Sequence, residues 1–122
     1  MGKPVKHAAL AALTILAISW SMAPQIASAA NAETIKTGKA LAFDRKKGNC
    51  LACHQISDGV SPGDIGPPLI AMQARFPDRA KLRTQIADPR IANPETRMPP
   101  FGAHQILSGS EIDLVVDFLL TL

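Results

Sequence analysis

The chain has 122 residues, with 13 Lys and Arg against 10 Asp and Glu for a formal net charge of +3, and only 4% aromatic residues. This length suits one domain, and the mild charge carries no basic stripe of the sort that nucleic-acid binders present. With one Trp, no Tyr and four Phe, so small a domain is marginal on its own, and small folds of this kind often need a staple.

Residues 1–29 read as an export segment. Lys3 and Lys6 form a basic start, Ala8 to Ala17 is an apolar run, and Ala27-Ser28-Ala29 is an A-x-A cleavage signal. A membrane anchor is the other reading, but Ser19, Ser21 and Pro24 interrupt a run already short of the roughly 20 apolar residues that a span needs. Cleavage after Ala29 leaves residues 30–122 as the working domain. It also removes Lys3, Lys6 and Trp20, so the formal charge falls from +3 to +1.

The remaining chain predicts four short helices and no strand. The first covers 32–43, with Ile35, Leu41, Ala42 and Phe43 gathered on one side and Lys36 and Lys39 facing water. The basic cluster Arg45-Lys46-Lys47 reads as a solvated turn or as a docking rim. Residues 57–68 are a loop punctuated by Asp58-Gly59, Ser61-Pro62-Gly63 and Gly66-Pro67-Pro68. A second helix is expected over 69–76 and a third over 79–87, closed by Asp88-Pro89. The segment 91–102 is too rich in proline for regular helix. Ser108 and Glu111 form a capping box for the last helix, whose apolar face is Ile112, Val115, Val116, Leu119 and Leu120, with Asp113 and Asp117 on the other side.

Between the first helix and the loop lies Cys50-Leu51-Ala52-Cys53-His54. A C-x-x-C-H pentapeptide is the attachment site of a c-type haem: each cysteine forms a thioether to the porphyrin and the histidine ligates iron. No other cysteine occurs, which removes an iron–sulfur cluster and a disulfide scaffold from consideration. A thioredoxin-like redox pair would want a βαβ pattern, and none is visible. Haem c is therefore the expected cofactor, with His54 the proximal ligand. For the second axial position residues 30–122 offer Met98, Met72 and His104. Met72 lies in an apolar run where methionine more often packs a core. Met98 lies in Arg97-Met98-Pro99-Pro100-Phe101, a loop stiffened by two prolines. Met98 is favoured; His104, Met72 or an open position are the alternatives.

This order of elements resembles the class I c-type cytochromes, all-α domains in which the terminal helices cross and the haem occupies a crevice between loops. The resemblance narrows on Gly48-Asn49-Cys50-Leu51-Ala52-Cys53-His54, Gly63-Asp64-Ile65-Gly66-Pro67-Pro68-Leu69, residues 93–102 (NPETRMPPFG), and then Ile106-Leu107 and Glu111-Ile112. Together these are similar to the SoxX family, over nearly all of residues 30–122. The resemblance implies that the Pro67 carbonyl takes the second hydrogen bond of the ligand histidine. It implies a periplasmic heterodimer with SoxA that acts as an L-cysteine S-thiosulfotransferase, joining thiosulfate to a cysteine of the carrier SoxYZ. It gives this subunit the part of accepting the released electrons and passing them to a small cytochrome c, with no catalysis of its own. A freestanding electron shuttle is the alternative.

A domain that takes much of its core from a cofactor should not fold without it. Apoprotein over residues 30–122 is expected to show weak far-UV circular dichroism and no sharp melt; full helicity with a cooperative transition would contradict this.

Overall fold

A computed structural model describes Gly2 and residues 32–122. Apart from Gly2, the expected export segment 1–29 lies outside the described residues. Among these there are four α-helices and no strand: α1 (Ala32–Phe43), α2 (Met72–Arg75), α3 (Arg79–Ala87) and α4 (Gly109–Leu119), with 3₁₀ turns at Cys50–Ala52 and Pro89–Ile91. No helix among the described residues is long and apolar enough to cross a membrane.

The frame is α1 laid across α4. Their closest approach is at Gly38, which is buried where a side chain would overlap the Leu114 carbonyl oxygen and stand 3.0 Å from Phe118 Cβ. Glycine is needed there for space, since its φ is not in the left-handed region. Either side of this contact, Ala42 is fully buried, and Phe43 meets Phe118 edge to face with ring centroids 6.0 Å apart. The α4 face is Ile112, Val115, Val116, Phe118 and Leu119, all buried, each contributing about 1.5–3 kcal/mol in apolar transfer. Phe118 therefore joins the expected face, while Leu120 falls just past the helix and is only partly buried.

The helix starts follow their caps. Ser108 accepts from the Glu111 amide at 3.2 Å and Glu111 Oε2 accepts from the Ser108 amide at 2.8 Å, the expected capping box. Lys47 also reaches Glu111, at 2.9 Å, and ties the turn after α1 to this cap. The Ser108 amide, and after it Lys47, hold the Glu111 carboxyl below its ordinary range. In α3, Asp78 accepts from the Ala80 amide at 2.8 Å.

Three expectations are corrected. The second helix begins at Met72, not at residue 69, because the backbone there is engaged elsewhere. The Leu69 amide donates to Gln55 O at 2.8 Å, the Met72 amide to Leu122 O at 2.9 Å, and Ala71 is left-handed with φ 50°. Lys39 does not simply face water: it pairs with Asp58 at 3.1 Å and lies over the Phe43 ring. Asp113 and Asp117 likewise serve a neighbour. Arg79 meets both, at 3.1 and 2.8 Å, and Arg83 meets Asp113 at 2.9 Å, pinning α3 to α4. Arg83 and then Arg79 lower the Asp113 carboxyl's pKa. The small stabilisation this half-exposed cluster gives is thus present above the ordinary carboxylate range and lost as pH falls through the lowered value.

At an exposed helix position Gly→Ala stabilises by about 1 kcal/mol. At Gly38 the added methyl meets backbone that cannot swing away, and overpacking of this kind costs about 1–3 kcal/mol. Gly38→Ala is expected to lower the denaturation midpoint of the holoprotein; an unchanged or raised midpoint would show that the helix crossing has room to spare.

Candidate functional site: a cysteine–histidine turn at the mouth of an apolar cavity

The turn that carries the cysteines is set up by two residues with special backbone needs. The Gly48 amide returns to Leu41 O at 3.1 Å, and a Cβ at Gly48 would lie 2.7 Å from that same oxygen. Asn49 follows in the left-handed region at φ 47°. The chain then winds through Cys50–Ala52, with the Cys53 and His54 amides both returning to Cys50 O, at 3.2 and 2.9 Å. This 3₁₀ turn was not evident from the sequence, where three residues show no periodicity. Its effect is to bring Cys50, Cys53 and His54 to the wall of one cavity.

The loop that follows is laced onto this turn. Gly63 N donates to Leu51 O, Gly66 N to Cys53 O and Leu69 N to Gln55 O, each at 2.8 Å. Gly66 passes so close to the imidazole that a Cβ there would overlap the His54 ring. The next residue supplies the decisive contact: His54 Nδ1 donates to Pro67 O at 2.7 Å. A carbonyl can only accept, so Nδ1 carries a proton, and in the neutral ring Nε2 is the nitrogen whose lone pair can meet a Lewis acid.

The cavity has a volume of about 670 Å³, within the roughly 300–1,000 Å³ of cofactor sites. Its inner walls are apolar, from Leu69 and Met72, from Leu82 and Ile86 of α3, and from Val115 and Leu119 of α4. Pro67 and Met98 line it as well, so every sequence-predicted site residue meets there. Met98 is half-buried on its loop, where its amide donates to Thr96 Oγ1 at 3.2 Å and its sulfur lies 3.9 Å from Gln85 Nε2. Met72 also borders the cavity but is a core residue, 2% exposed. His104 is exposed and is not part of the wall.

The donor set fits a porphyrin better than its competitors. Neither cysteine is in a disulfide. Burial, chiefly, pushes the Cys50 thiol up to about 11, so it is protonated at neutral pH, unlike the low-pKa thiols of redox pairs. Among the described residues no three His, Cys, Asp or Glu side chains converge to hold a bare ion. An iron in a porphyrin needs from the protein only axial ligands and an apolar slot. The sequence offers Arg45-Lys46-Lys47 as a docking rim, and the fold extends it. Arg45, Lys46, Lys47, Arg75 and Arg97 all border the cavity, and among the described residues no acidic one does. Arg75 and Arg97 are far apart in sequence from the basic cluster, so only the fold joins them.

A family model described as "Cytochrome C oxidase, cbb3-type, subunit III" matches residues 33–119. The chain belongs to this family of c-type cytochromes. Among solved structures it is similar to a chain of the crystal structure of SoxXA from P. pantotrophus, with 31% identity and a TM-score of 0.64 over 70% of this chain and 79% of that one. No curated protein matches it. The class I cytochrome c fold and the SoxX resemblance read from the sequence are thus borne out, and family membership implies a haem c and an electron-transfer role for this cytochrome.

The contact between Gly66 and the imidazole gives a test. Gly66→Ala is expected to push the His54 ring off the Pro67 carbonyl and cut haem-loaded protein roughly tenfold, as loss of such supporting contacts does elsewhere. A pyridine haemochrome assay per mole of polypeptide measures it; undiminished haem content would show that the loop yields.

Proposed function

We propose that this cytochrome carries one haem c, bound through thioethers from Cys50 and Cys53, with His54 as proximal and Met98 as distal ligand, and that it serves as the electron-accepting subunit of a SoxA-containing complex. The observation that carries the reading is the His54–Pro67 hydrogen bond at 2.7 Å, made in a cavity shared by both cysteines and Met98. Haem bound there would supply a one-electron ferric–ferrous couple. The chain's own residues do the rest. Pro67 fixes the tautomer and heading of His54. Leu69, Leu82, Val115 and Leu119 exclude water. Thr96 and the two prolines after Met98 hold that loop with little ordering cost.

The further steps rest on the similarity to a SoxXA chain. SoxA would couple thiosulfate oxidatively to the cysteine of SoxYZ, and this subunit would take up the released electrons and hand them to a small cytochrome c. Its only thiols are the two at the haem motif, so it offers no thiolate nucleophile of its own and is not expected to catalyse alone. Residues 1–29 would direct export to the periplasm and then be removed, leaving 30–122 as the cytochrome domain. The all-cationic cavity rim supports the docking-rim reading of Arg45-Lys46-Lys47, since charge at the mouth speeds encounter with an acidic partner.

Two measurements test the proposal. Oxidised protein is expected to show the absorption band at about 695 nm that marks methionine–iron(III) coordination, and Met98→Ala to abolish it; persistence of the band would move the ligand to Met72. Mixed with SoxA, the cytochrome is expected to copurify and become reduced on addition of thiosulfate and SoxYZ. Reduction only by unrelated donors, with no SoxA binding, would favour the freestanding shuttle.

A further inference from the structure

Gln85 stands out on α3 as a polar side chain in an apolar place. It lies between Leu82 and Ile86, the two buried residues of that helix, and borders the cavity with them. Leucine there would continue the apolar wall. A half-buried amide is costly without a good partner. Among the described residues its side chain makes one hydrogen bond, from Nε2 to Met98 Sδ at 3.9 Å, the long and weak end for sulfur. As a stabilising element this is a poor choice, and the Met98 backbone does not depend on it. The Met98 amide is held by Thr96 Oγ1 at 3.2 Å, the Thr96 amide by Asn93 O at 3.1 Å, and Pro99 and Pro100 follow. What the Gln85 amide reaches is the sulfur alone.

We infer that Gln85 is a positioning residue for Met98, whose side-chain N–H engages the second lone pair of the thioether sulfur and sets the reduction potential of the cytochrome. This rests on Met98 being the distal ligand. A thioether has two lone pairs; one faces a metal, and the other is free to accept. An N–H on the second withdraws electron density from sulfur and weakens its donation. Ferric iron, the stronger Lewis acid, loses more by this than ferrous iron, so the hydrogen bond favours the reduced state, as hydrogen bonds to ligand sulfur do in other iron sites. It also keeps the sulfur lone pairs in one orientation.

The experiment uses haem-loaded protein and spectroelectrochemical titration. Gln85→Leu removes the donor; Gln85→Asn keeps an amide but withdraws it by one methylene. Both are expected to retain the methionine–iron(III) band and to lower the ferrous-to-ferric ratio at a fixed electrode potential by about threefold to tenfold, the worth of one neutral hydrogen bond. Should the leucine variant fail to take up haem, the asparagine variant carries the test. A ratio within twofold of the parent in a variant that keeps the band overturns the inference, even if its thermal stability has changed. Met98→Ala, measured alongside, separates the two claims. Loss of the band there with unmoved Gln85 variants sinks only the role of Gln85, whereas a band that survives sinks the ligand assignment and this inference with it.

Discussion

A single proton, the one on Nδ1 of His54, decides what the cavity of this cytochrome can hold. Placed against Pro67 O at 2.7 Å, it commits the neutral imidazole to the tautomer whose Nε2 can ligate. The rest of the domain can be understood as the means of keeping that ring still. Gly66 has no side chain because the ring occupies the space. The amides of Gly63, Gly66 and Leu69 bond to the carbonyls of Leu51, Cys53 and Gln55, so the loop cannot drift from the ring it orients. Ring orientation of this kind governs ligand basicity, and through it the electronic properties of a bound metal.

The second organising element is the helix crossing. α1 and α4 meet backbone to backbone at Gly38, where a side chain would overlap the Leu114 carbonyl oxygen. The crossing places Val115 and Leu119 beside the cavity while Ala42 and Phe118 stay in the core behind. The Lys47–Glu111 pair then links the crossing to the turn that presents Cys50. Individually such exposed pairs contribute little. Here the pair joins the cap of α4 to the residues leading into Cys50, which matters more for geometry than for stability.

The elements legible in the sequence have local signals. The Ser108–Glu111 box, the Asp88-Pro89 stop of α3 and the first helix all depend on residues within a few positions of one another. What escaped notice depends on partners far away in the chain. The second helix is short because Leu69 and Met72 spend their amides on Gln55 and Leu122, a bargain no periodicity announces. Asp113 and Asp117 look like a solvated face until α3 brings Arg79 and Arg83 alongside. Gln85 looks like an ordinary surface residue of α3 until the 93–100 loop folds over it. The pairing of Pro67 with His54 was available only through family resemblance, since thirteen residues separate them and nothing in composition joins a proline carbonyl to a histidine.

The sign of the cavity rim bears on how the whole molecule behaves as an electrical object. Residues 30–122 carry a formal charge of only +1 once Lys3 and Lys6 are set aside, yet five cations line one cavity, of which Lys47 is paired with Glu111, and the acids Asp113 and Asp117 are locked to arginines of α3. Cations gathered round one cavity of a near-neutral body let a field turn the molecule before any contact is made. The molecule would therefore adsorb to an anionic electrode or resin by that face, despite a total charge that gives no warning of it.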